Sequence, residues 1–217
     1  TCRWATRPEA GVQGILSRWS ADTESGFGLF IGADGTIELW LGSPGQSTER
    51  VSSGRVLRPR EWTFIAASYD SGNATVIQDL LRYDPQQPAE TRRERGVSLA
   101  DISGAEAPFL IGAGWLKADG SRRFGEHVFN GKIGTPRVFD RALAPAEIGA
   151  LMTEPVDPAL TASAIAAWDF AQESASMRVI DSSPLGHHGT TVNRPMRGVT
   201  GHNWLGEELH FGAAPHA

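Results

Sequence analysis

Residues 60–80 read R-E-W-T-F-I-A-A-S-Y-D-S-G-N-A-T-V-I-Q-D-L. Trp62, Phe64, Ala66 and Ser68 alternate with Thr63, Ile65, Ala67 and Tyr69. That period of two belongs to strands, whose successive side chains leave opposite faces. Aromatic and β-branched residues fill the run, as a pleated and half-buried surface favours. Asp70–Asn73 supplies a turn, and A-T-V-I-Q-D-L returns the chain. The stretch predicts a pair of antiparallel strands.

Working outward, the same grammar recurs. Residues 13–41 predict three strands, Q-G-I-L-S-R-W, F-G-L-F-I-G and T-I-E-L-W-L-G. In the last of these, Ile37, Leu39 and Leu41 share one face while Glu38 and Trp40 take the other. Asp34-Gly35 is a hairpin signal, because glycine accepts positive φ in a tight turn. Downstream, residues 82–107 are polar, proline-interrupted and basic in the middle, and predict a long surface excursion. P-F-L-I-G-A-G-W (108–115) predicts another strand, K-A-D-G-S-R-R-F-G-E-H (117–127) a loop, and residues 128–143 a bent strand pair.

A helix is expected over 144–152, where Pro145 suits the first turn and Glu147 the positive end of the dipole. Ile148, Leu151 and Met152 share one side of it, and Pro155 and Pro158 are expected to end it. Many short strands with one short helix predict an all-β fold, a two-sheet antiparallel sandwich. Residues 1–152 form the expected main body. Residues 153–163 are a proline-rich crossover linker, and 164–217 are strands completing the same sandwich.

The totals narrow the function classes. The chain has 217 residues, 40% hydrophobic and 21% charged, with a formal charge of −5. That balance provides no basic face for nucleic acid. No apolar run reaches the roughly 20 residues of a membrane span. One cysteine, Cys2, excludes an internal disulfide and a cysteine-cluster metal site, and suits a cytoplasmic location. The chain starts at Thr1 without a signal segment and is expected to be part of a longer protein.

The motifs W-T-F-I-A-A-S-Y-D (62–70), F-L-I-G (109–112) and F-N-G-K-I-G-T-P-R-V-F-D-R-A-L-A-P-A-E-I (129–148) carry a resemblance. In that order they resemble the jelly-roll domains of the laminin-G and concanavalin A-like lectin/glucanase group. T-R-P-E-A-G-V-Q-G-I-L-S-R-W (6–19), A-A-W-D-F (166–170), residues 181–204 and H-F-G (210–212) resemble something narrower. They look like the laminin-G-like region of the large subunit of the N,N-dimethylformamidase family. The usual domain-opening pieces stand after the helix here, which leaves two explanations. One is a circular permutation in which residues 164–212 supply strands to the same sandwich, the one expected because Trp168, Phe170, Val179 and Ile180 need a partner surface. The other is a tail that begins a neighbouring element.

That resemblance implies membership of an iron-dependent amidohydrolase with a small partner subunit, in an oligomer. The family's iron is held by two tyrosines and a glutamate in a later part of the polypeptide. The two tyrosines here, Tyr69 and Tyr83, stand in no matching motif, so the iron site is expected outside this chain. No catalytic and no metal residue is assigned, and the expected role is structural: contact with the other domains and the small subunit.

His187, His188 and His202 lie near Asp181, but adjacent histidines on an extended loop point apart, and the spacings that bring imidazoles together are absent. Glu38 and Asp79 are alone on their strands, unlike the paired carboxylates of a glycosidase. Calcium through loop aspartates such as Asp22, Asp119 and Asp140 is not predicted. Carbohydrate binding is the runner-up function, with Trp40 and Trp115 as faces on which a sugar ring could stack. Arg92, Arg93 and Arg95 are the candidate partner-docking surface, with a solvated charge run as the alternative. A self-contained hydrolase is the third reading.

Overall fold

The computed structural model describes residues 2–70, 72–80, 90–98, 102, 106–120, 122–152, 157–199 and 201. The first strands are β1 (Cys2–Ala5), β2 (Gln13–Ser20), β3 (Ser25–Ile31), β4 (Thr36–Gly42) and β5 (Glu49–Val56). The hairpin of residues 60–80 follows as β6 (Trp62–Asp70) and β7 (Asn73–Leu80), in register from Thr63 opposite Leu80 to Asp70 opposite Asn73. Next come β8 (Glu90–Gly96), β9 (Leu110–Ile111), β10 (Trp115–Asp119), β11 (Arg122–Glu126), β12 (Gly131–Gly134) and β13 (Arg137–Val138). Helices α1 (Pro145–Ala150) and α2 (Pro158–Ala162) precede β14 (Ala166–Asp169), β15 (Arg178–Asp181) and β16 (Gly189–Thr190).

Two five-stranded antiparallel sheets, ordered β12-β1-β6-β7-β8 and β5-β4-β3-β2-β9, make the sandwich. Alternation puts Ile65, Ala74 and Val76 of the first against Leu29, Ile37, Leu39 and Leu41 of the second, all buried in one core. Each of the valine, leucine and isoleucine side chains among them contributes about 1.5–3 kcal/mol on burial. A buried hydrogen bond also crosses the gap, from the Ser53 hydroxyl to Gln78 Oε1 at 2.9 Å. Both partners sit in the core, so neither group is left unpaired there.

The second sheet is apolar on its outer face as well, where Trp19, Phe30 and Trp40 form a separate buried cluster. The hairpin β10–β11 covers this face, bringing Trp115 onto the cluster. A Cβ at Gly14 would stand 2.3 Å from the backbone of Ala113 and Gly114, so this close approach requires glycine.

After β12 the chain switches sheets at Thr135, whose φ of 46° is strained for a β-branched residue. It then builds a four-stranded ribbon, β13-β14-β15-β16. Ala166 and Ala167 pair with Val138 and Arg137. Trp168 stacks on Phe109 with centroids 5.3 Å apart, joining the ribbon to the edge of the second sheet.

Several elements differ from the sequence reading. Among the described residues there are two short helices instead of one, because Asp157 caps α2 by accepting the Ala159 N–H at 2.8 Å and Pro158 sits at the first helical position. Proline there starts a helix inside the stretch expected to be a linker. The surface excursion contains an edge strand, β8, whose charged residues mask the strand period and suit an exposed edge. The loop at 117–127 is largely the hairpin β10–β11, whose last pair is Asp119 opposite Arg122. The sequence pattern does not predict strands β1 and β5.

Candidate functional site

The structure brings Trp40 and Trp115 into one aromatic cluster. Trp40 is 6% exposed. Its ring stacks on Phe30 at 4.3 Å, and the Arg50 guanidinium lies 3.9 Å from its centroid. Its Nε1–H donates to Glu38 Oε2 at 2.7 Å. A cation over a tryptophan face is attracted by the ring quadrupole, so a sugar ring would have to displace Arg50 to stack there. Trp115 is half-buried, tilted against His127 at 4.3 Å, and donates from Nε1 to Glu126 at 2.8 Å. That bond, with help from Lys117, holds the Glu126 carboxyl below its ordinary range.

The arginine group is on β8. Arg92 and Arg93 pair through the backbone with Ile77 and Val76, while their side chains lie outside the described residues. Arg95 donates to the Arg50 carbonyl at 3.0 Å and pairs with Glu49 at 3.9 Å. Glu49 also accepts the Ser98 hydroxyl and N–H, which lower its pKa ahead of Arg95. Arg95 is thereby tied to β5, which lies in the opposite sheet.

The histidine-rich loop is organised by Asp181, 4% exposed. Its Oδ1 accepts the Ala167 and Ser183 N–H groups at 2.7 and 2.8 Å. Its Oδ2 accepts the Ser183 hydroxyl at 2.8 Å and the His187 N–H at 2.6 Å. Burial pushes this carboxyl up, but the four donors outweigh it and the net shift is downward. His187 accepts Trp168 Nε1–H through its carbonyl at 2.9 Å, and His188 Nδ1 accepts the Asp181 N–H at 3.1 Å. His202 lies outside the described residues. Among the described residues no three His, Cys, Asp or Glu side chains converge as a metal-ligand group.

A cavity of about 360 Å³ is bounded by both sheets and by the segment 135–151. Ile148 and Leu151 line it but stay half-buried, so α1 stands at its rim without packing down. On the solvent side of α1, Arg141 grips Glu147 through two bonds of 2.6 and 2.8 Å, and Glu147 also accepts the Ala144 N–H at 2.8 Å. Arg141 first, then Ala144, lower the Glu147 pKa to about 2. Sequence patterning does not reveal a cavity, which depends on how two sheets and a helix meet.

Large exposed apolar side chains are unevenly placed. Of the seven among the described residues, Met177, Leu185, Val192, Met196 and Val199 lie in one segment, with Met196 85% exposed. The bonds Thr191 N–H to Met177 carbonyl and Arg197 to the Arg178 carbonyl, both 2.8 Å, fold that segment back on itself. Arg197 also donates to the carbonyls of Phe170, Gln172 and Ser176, fixing residues 170–178 around one guanidinium.

A family profile for the concanavalin A-like lectin/glucanases superfamily matches residues 2–149. The chain belongs to this superfamily. As a concanavalin A-like domain, it is also similar to curated proteins of known name. The N,N-dimethylformamidase beta subunit of Paracoccus aminophilus is 32% identical over 226 residues, covering 97% of this chain and 29% of that protein. The N,N-dimethylformamidase beta subunit of an Alcaligenes species is 32% identical over 227 residues, covering 96% of this chain and 29% of that protein. The chain therefore spans about 29% of the length of the curated relatives it matches. The similarity runs through the ribbon beyond the residues of the superfamily profile.

Proposed function

We propose that this concanavalin A-like domain is a structural and docking module of an amidohydrolase related to the N,N-dimethylformamidase beta subunit. The reaction is assigned to other parts of the parent protein. The observation that carries this reading is the match itself, which takes in 97% of this chain but only 29% of the relative. The polar groups support it: Asp181 holds a loop, Glu126 and Glu38 anchor tryptophans, and Glu147 anchors a helix end.

The docking surface is the exposed apolar segment 177–199, and its occupant is the remaining polypeptide of the parent protein. Five exposed apolar side chains within one segment suit contact with another protein surface, and the relatives have more than enough additional chain to cover this one. Iron, if the relationship extends to it, is held by that remaining polypeptide, and a small subunit completes the assembly. The cytoplasm is the proposed location.

Substituting Met177→Asp and Met196→Asp in the full-length parent protein tests this. The expected result is weakened assembly in sedimentation velocity, with iron per active site and turnover of the remaining complex unchanged. Intact assembly with lost turnover would place the segment in the chemistry and overturn the reading.

A further inference from the structure

Residues 64–69 of β6 all line the cavity beside α1. Successive side chains of a strand leave opposite faces, so a cavity over one face would touch only every second residue. An unbroken run of lining residues means a gap that follows the strand's edge. Strand β1 accompanies β6 no further than Cys2, which stands opposite Phe64 on one side and Gly134 on the other. Past that point residues 66–68 have no partner strand on the β1 side among the described residues. Thr135, which follows β12, and Phe139 form the other bank. The gap therefore prolongs the line of β1 between the same two neighbours, and it is partly open to solvent.

We propose that this gap is a strand slot, filled by an extended, apolar strand from the remaining polypeptide of the parent protein. The edge is built to accept one. Residues 64–69, F-I-A-A-S-Y, carry no charge and no proline, whereas β8 at the far edge of the same sheet reads E-T-R-R-E-R-G. Charges and prolines are what keep an edge strand from pairing. Ala67 stands opposite Val76, which is fully buried, yet Ala67 itself is exposed.

The walls choose the occupant's chemistry. Leu39 and Leu41 line the slot from the second sheet, and Ile148 and Leu151 line it from α1. The latter two remain half-buried and α1 buries no residue, as expected of a helix whose packing partner is the added strand. Strand addition draws affinity from main-chain hydrogen bonds and specificity from alternate side chains. The edge beyond β1 accommodates about five residues, roughly 16 Å. The aligned portion is 29% of the relatives, so they have ample further chain to supply a strand. This inference rests on the reading of the chain as one module of a longer protein, and adds a contact separate from segment 177–199.

The test is amide hydrogen exchange over residues 65–69, in the 217-residue chain and in the full-length parent protein. Exchange in the parent is expected to be at least about tenfold slower. Within the parent, Ala67→Asp should bring it back to within about twofold of the chain alone, because a carboxylate is costly to bury against an apolar strand. Ala118→Asp, at an exposed position of β10, should leave it unchanged. Equal exchange in chain and parent, whether fast or slow, would overturn the proposal; slow exchange in both would mean that the chain's own residues cover the edge. If the chain alone does not fold, the two variants within the parent still decide, and equal exchange in them would overturn the proposal. Met177→Asp and Met196→Asp read the docking segment by assembly, so the slot and the proposed function can fail independently.

Discussion

Asp181 shows how a suspicious residue can be structural. Four donors converge on its carboxylate, two of them to each oxygen. Asp181→Asn places an amide NH₂ among N–H donors and is expected to destabilise the chain by about 3 kcal/mol, read by urea unfolding. Because the folded pKa is depressed, the stabilisation is present above the unfolded carboxyl pKa and is lost as pH falls through the folded value. An unchanged midpoint in Asp181→Asn would contradict the assigned role. Trp40→Ala removes the ring between Phe30 and Arg50 and should cost about 3–5 kcal/mol, whatever sugar is added.

Much at this scale was legible in sequence. The alternation of Ile37, Leu39 and Leu41 against Trp40 placed the tryptophan on the face away from the inter-sheet core, where it lies. Its cover was not legible, because hairpin β10–β11 arrives from over seventy residues downstream. The histidine spacing argued against a shared ligand set. The hydrogen-bond network around Asp181 depends on pairing of β14 with β15, a tertiary fact.

At the scale of elements, α1 has six residues and none buried, so it relies on its end contacts. With Glu147 lowered to about 2 by Arg141 and the Ala144 N–H, this contribution is full above about pH 4.5 and fades as pH falls towards 2. In Arg141→Ala, the Glu147 titration followed by NMR should move up towards the ordinary carboxylate range. A midpoint that stays near 2 would show that Arg141 is not the main cause. Strand β8 and helix α2 escaped the sequence reading for opposite reasons. The charges of β8 hide its period of two, and the proline of α2 reads as a stop where Asp157 makes it a start.

For the whole molecule, the jelly-roll sandwich followed from period-two patterning and from the order of motifs around 62–70, 109–112 and 129–148. The superfamily match over residues 2–149 establishes it. The ribbon after α1 pairs back onto β13, so the chain's last described strands join a segment that ends the body of the sandwich. Function lies at this scale too, because the relatives are more than three times as long as the portion aligned here. The assignment of chemistry outside this chain is tested most directly by measuring bound iron and N,N-dimethylformamide hydrolysis in the purified, folded chain and in the full-length parent complex. The account predicts iron and turnover in the complex and neither in the chain alone. Stoichiometric iron or turnover in the chain alone would contradict it.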